Sequence, residues 1–171
     1  MCMHQLFFLI AFIFISNIYG QNISKHYVSS SQDGGILYFA FPQRGFNSIK
    51  EKNKLIYDIT HHTADSFATL NFSYYDKSSI EIDSVTFVSG KQRNSSVAKK
   101  IFVEIKRNKW QYRYSTSFLF SELDSFFTKE NNPKIVLYTK QGEIDLKIKP
   151  KVWKKQSAIM NKIFTLIKHN K

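Results

Sequence analysis

Apolar and polar positions alternate with a period of two through much of the chain, and with a helical period in only two places. Ala68, Leu70, Phe72 and Tyr74 alternate with Thr69, Asn71 and Ser73, the signature of a strand with one buried face. This predicts a strand over Phe67–Tyr75. The same alternation predicts strands over Leu55–Thr60, Ile101–Lys106 and Trp110–Tyr114, the last two joined by a turn at Arg107–Asn108–Lys109. The apolar run Gly35–Phe41, stopped by Pro42, reads as a more deeply buried strand. Ile80–Val88 also alternates, but its apolar phase changes between Ile82 and Val85, which predicts a bulge near Asp83–Ser84. Ile135–Thr139 and Glu143–Ile148 flank Gln141–Gly142 as a hairpin.

The helical period marks two segments. Ser121–Phe127 is short, with Ser121 placed to cap it. In Lys151–His169, Val152, Ile159, Met160, Ile163, Leu166 and Ile167 fall on one side at 100° per residue, with Lys151, Lys154, Lys155, Lys162 and Lys168 opposite. The polar stretches Gln21–Gly35, Gln43–Lys54 and Ser89–Ser96 read as loops. Eight strands separated by regular turn signals predict a mainly β fold. It is an antiparallel β-sandwich or an eight-stranded barrel-like domain, with a short inserted helix and a C-terminal amphipathic helix.

The start of the chain adds a compartment. Leu6–Ile15 is an unbroken apolar run of ten residues, followed by small and polar residues up to Gly20. Ten residues are too few to span a bilayer as a helix. The pattern is that of a secretory signal peptide over residues 1–20, leaving residues 21–171 as one β-rich domain, exported to a periplasmic or extracellular location. No stable transmembrane span remains after such a cleavage. Cys2, the one cysteine, falls in the leader, so the mature chain holds neither a disulfide nor a cysteine-ligated zinc.

Charge changes the picture of the partners. The formal net charge is +12, with 25 basic and 13 acidic residues. Only four of the basic residues are arginine, the residue that nucleic-acid recognition favours, which argues against a nucleic-acid partner. The charge is also uneven. Leu146–Lys171 carries eight lysines and no acid, and Lys91–Arg113 carries eight basic residues against Glu104 alone. Such asymmetry points to an anionic surface, or an envelope protein, as partner. Lys154, Lys155, Lys162 and Lys168 on the outer face of the last helix are the candidate binding residues.

Catalytic chemistry finds little support. His61–His62 is the one histidine pair, and adjacent residues on a strand point to opposite faces, which does not build a metal site. Glu81 and Asp83 on one strand satisfy the distance a glycosidase needs but not the flanking geometry, and Glu122 and Asp124 sit together at the start of the short helix. First-turn acids in the short helix serve its dipole. No nucleophile elbow, phosphate-cradling loop or zinc-protease motif occurs. Neither metal nor cofactor is expected. Trp110, Tyr112 and Tyr114 read as core rings rather than as a sugar-stacking platform. Sequons stand at Asn22, Asn71 and Asn94, the second of them on a strand. The expectation is a non-enzymatic binding or accessory module of the envelope or extracellular space. The alternatives are a carboxylate-dependent hydrolase and a protein binding anionic membranes.

Overall fold

The computed structural model describes residues 23–42, 44–48, 53–128 and 133–171; the expected leader and the Asn22 sequon lie outside them. A single 3-10 turn, Ser24–His26, is followed by β1 (Tyr27–Gln32), β2 (Gly35–Ala40), β3 (Phe46–Ser48), β4 (Lys54–His62) and β5 (Phe67–Asp76). Then come β6 (Ile82–Ser89), β7 (Gln92–Val97), β8 (Lys99–Lys106), β9 (Lys109–Leu119), helix α1 (Phe120–Thr128), β10 (Lys134–Thr139), β11 (Gly142–Lys147) and helix α2 (Pro150–His169).

All strands belong to one antiparallel sheet with the main order β7-β6-β10-β11-β3-β4-β5-β9-β8. The β1–β2 hairpin branches from β4, which pairs Ile59–His62 with β2 and Lys54–Leu55 with β3. β7 and β8, the two ends of the path, are consecutive in sequence and separated only by Ala98, so the sheet curls almost to closure. The architecture is therefore barrel-like, not a two-sheet sandwich. Among the described residues eleven strands form rather than eight. The three additional ones are β1 (YVSSSQ), β3 (FNS) and β7 (QRNSSV), which fall in the segments read as loops. Two of them end the sheet or its branch, where polar residues cost nothing.

The expected bulge is present. Tyr138 pairs with Ser84 but Thr139 pairs with Ile82, which leaves Asp83 as the extra residue. Its carbonyl accepts from the Ala98 N–H at 2.9 Å, at the point where the chain passes from β7 to β8. The 106–109 hairpin closes through Arg107 and Asn108, both with positive φ (52° and 59°), the two-residue turn whose twist matches its strands.

The inside of the curled sheet is solid with rings. Phe46, Phe72, Phe87, Tyr114, Phe118, Phe126, Phe127 and Phe164 are all essentially fully buried. Tyr112 and Tyr114 are core, as expected, while Trp110 is half-buried at the rim. α1 and α2 pack together across the open side. Trp153 of α2 is seated against Phe46, Phe126 and Phe127, with centroids 6.1, 5.4 and 5.5 Å away. The buried face of α2 is centred on Trp153, Gln156, Met160, Ile163, Phe164 and Ile167. Val152, Ile159 and Leu166 lie at its half-exposed margin, so the face is rotated from the one the apolar pattern alone indicates.

Candidate functional site

The clearest concavity in which charge converges lies where the 3-10 turn, the β2–β3 connection and the first half of α2 meet. Three local features set it. The 3-10 turn is tied down at both ends: His26 N–H donates to the Ile23 carbonyl at 2.8 Å, and the His26 carbonyl accepts from Phe41 N–H at 2.9 Å. This buries His26 and leaves Lys25 outside. The β2–β3 connection is pressed onto β4 at Gly45, where an added Cβ would stand only 1.9 Å from the Leu55 carbonyl oxygen. Only glycine permits that approach, and it fixes the neighbouring Arg44. Finally, Pro150 opens α2 at its first position, and Trp153 anchors that turn in the ring cluster.

The resulting cleft has a volume of about 480 Å³, in the range of small-molecule sites. Four cations line it: Lys25, Arg44, Lys151 and Lys155. Pro42, Val152, Ile159 and Met160 supply an apolar surface beneath them, and His26 and Gln156 complete it. Among the described residues none that lines the cleft is acidic, and none of the four cations has a carboxylate within ion-pair distance. Lys151 and Lys155 are four apart and so share one side of α2, near its positively polarised N-terminal end.

Two buried polar groups in the lining are incompletely satisfied. One end of the Gln156 amide bonds the hydroxyl of buried Tyr57, while its Oε1 has no partner among the described residues. His26 Nδ1 is likewise buried without one. Burial and then the adjacent Lys25 lower the His26 pKa, so its ring is neutral at pH 7. Loss of the Gln156 oxygen's and the imidazole's hydration without replacement is costly, which favours an occupant, or a water held with it, that donates to the Gln156 oxygen and pairs with the imidazole nitrogen.

The four candidate lysines are dispersed by the fold. Lys155 lines the cleft. Lys154 faces a second, more open groove of about 540 Å³ that also includes Lys151 and Lys155. Lys162 is exposed and lines neither groove. Lys168 forms an ion pair with Asp124 of α1 at 3.0 Å, a contact between the helices. Lys25, His26, Arg44 and Gln156 escape sequence reading. The first three sit in segments that read as loops, and Gln156 is a polar residue inside an apolar face. Lys151 was legible as part of the basic face.

The other candidates take structural roles. His61 is turned inward, its Nδ1–H donating to the Phe67 carbonyl at 3.0 Å and its ring stacked on Phe120 at 4.2 Å, while His62 is half-exposed. Glu81 lies between Lys140 and Lys100, which hold its carboxyl below the usual range. Glu122 accepts from the Leu119 N–H at 3.1 Å and so caps α1. On the outer sheet face Asp58 pairs with Arg113 and accepts from the Asn71 amide at 3.0 Å, which occupies the nitrogen that a glycan would need. Among the described residues no helix is long and apolar enough to cross a membrane.

The fold and the cleft together define a mainly β, helix-filled protein with a strongly basic concavity. No family model matches the chain, and neither a curated protein nor a solved structure is significantly similar to it.

Proposed function

We propose that this chain is an exported, non-enzymatic binding module of the envelope or extracellular space, and that its cleft takes an amphiphilic anion. The observation that carries this reading is the lining: four cations with no carboxylate among the described residues beside them, set over an apolar floor. A carboxylate, phosphate or sulfate head would sit among Lys25, Arg44, Lys151 and Lys155, with its hydrocarbon body on Val152, Ile159 and Met160. Export rests on the ten-residue apolar run near the chain start. A hydrolytic reading gains little from the acids considered for it, since Glu81, Glu122 and Asp124 are each committed to a lysine or a helix cap and Asp83 stands exposed on the β6 bulge, outside the cleft.

Titration calorimetry with laurate and dodecyl phosphate, below their micelle concentrations, tests the proposal against inorganic phosphate and decanol. Both amphiphiles should bind, and each half-ligand should bind at least about tenfold more weakly, a difference of about 1.4 kcal/mol. Lys25→Glu with Lys155→Glu should abolish binding and leave the melting temperature in place, because both side chains are exposed. Absence of amphiphile binding, or binding indifferent to those two charges, would sink the reading.

A further inference from the structure

Three strands of the sheet have only one neighbour, and they differ in chemistry. Apart from one exposed valine each, Val28 and Val97, β1 and β7 present mostly serine, asparagine, glutamine and arginine, the polar edges by which proteins discourage strand addition. β8 (KKIFVEIK) does not. All eight of its residues are exposed, with Ile101 at 54%, Phe102 at 42%, Val103 at 45% and Ile105 at 68%. Among the described residues β8 pairs only with β9, and no described strand pairs with its other backbone edge. Along the sequence around this apolar strip stand Lys99, Lys100, Lys106, Arg107 and Lys109, against Glu104, and Glu81 reaches Lys100 from the neighbouring turn at 3.6 Å.

We propose that this edge of β8 is a docking site for an extended acidic segment of a partner polypeptide, which adds to the sheet as a further strand. The N–H and C=O groups of that edge supply a backbone ladder. Ile101, Phe102, Val103 and Ile105 supply apolar contact on both faces, and the surrounding cations select carboxylates. Two other occupants fit less well. A second copy of β8 would bring a strand carrying three lysines and one glutamate against its like, and like charges across a pair repel. A bilayer would cover the side chains but leave the edge's backbone groups without partners in hydrocarbon.

The test uses the full protein and a fluorescein-labelled synthetic peptide of ten residues alternating Glu with Val and Thr. The comparison probes are its Lys-for-Glu counterpart, a version with proline at alternate positions, and vesicles of phosphatidylcholine and phosphatidylglycerol. The acidic peptide should bind saturably and slow amide exchange across residues 99–106. The lysine peptide should bind about tenfold more weakly or worse. The proline version, lacking the donors for a ladder, should not bind. Ile101→Ser and Ile105→Ser should each weaken binding several-fold without moving the melting temperature. The inference is overturned if the acidic peptide fails to bind, or if the proline version binds equally. It is also overturned if exchange slows elsewhere, or if the serine variants lose vesicle binding while peptide binding is absent.

Discussion

Gly45 and the two inward histidines show how single residues hold this molecule in its working shape. At Gly45 any side chain meets the Leu55 backbone, which has no flexible end to swing aside. Gly45→Ala should therefore destabilise the protein by about 1–3 kcal/mol, the usual range for forced overpacking. Arg44 should shift with it and amphiphile affinity should fall; thermal unfolding and calorimetry on the one variant measure both. His61 carries a different liability. Burial, and secondarily the charge of Lys171, lower its pKa from 6.5, while the Phe67 carbonyl and Asp65 oppose the shift. His26 is lowered in the same direction. The unfolded chain then protonates first as the pH drops, so this part of the stability is complete above about pH 6.5 and is lost as the pH falls below it. The melting temperature should decline as the pH falls below about 6.5, and His61→Gln should flatten part of that decline. An unchanged slope in the variant would assign the loss to other groups. Amphiphile affinity should move the opposite way over the same interval, because an anion in the cleft favours protonated His26.

Among the elements, the β8–β9 hairpin is the most fully written in the sequence and β7 the least. Trp110, Tyr112 and Tyr114 announce their strand because one face is in or near the core. The bulge at Asp83 is equally legible, since it shifts the apolar phase of β6 by one residue. β1, β3 and β7 gave no such sign. β1 and β7 owe their conformation to the backbone ladder offered by β2 and β6, not to a buried face of their own, and β3 is too short to show a period although its Phe46 is core. The cleft was illegible for the same reason: Lys25 and Arg44 come from segments positioned by their neighbours, and their convergence on α2 is a property of topology. One element-level defect is open to measurement. Arg107 holds a left-handed conformation (φ 52°) that costs a non-glycine residue about 1 kcal/mol. Arg107→Gly should stabilise the protein by about 0.5–1 kcal/mol, visible as a higher denaturant midpoint, provided Arg107 makes no compensating contact.

For the whole molecule the decisive question is whether α2 belongs to the core or to a surface outside it, and magnitudes answer it. Trp153, Met160, Ile163, Phe164 and Ile167 are each at most 3% exposed. At roughly 1.5–3 kcal/mol apiece, their burial contributes about 8–15 kcal/mol gross, an upper bound before chain entropy is charged. Attraction of the outer lysines to an anionic surface is worth about 1 kcal/mol each, and less in salt. The buried face also closes the open side of the sheet over Phe46, Phe126 and Phe127, and Asn170 beyond its end donates to the Tyr38 hydroxyl at 2.7 Å. A contribution of this size matches the entire stability of an ordinary domain. Truncation before Val152 should therefore unfold or aggregate the protein, with loss of the cooperative melting transition. Changing Lys154, Lys155 and Lys162 to Gln should leave that transition nearly in place, and adding Lys168→Gln should lower it only slightly, since the exposed pair with Asp124 is worth at most about 1 kcal/mol. The Gln variants should lose salt-sensitive binding to anionic vesicles, and Lys155→Gln alone should weaken amphiphile binding. A truncated chain that stayed folded, soluble and monomeric would mean that the sheet holds its rings without α2, and would remove the wall on which the cleft depends.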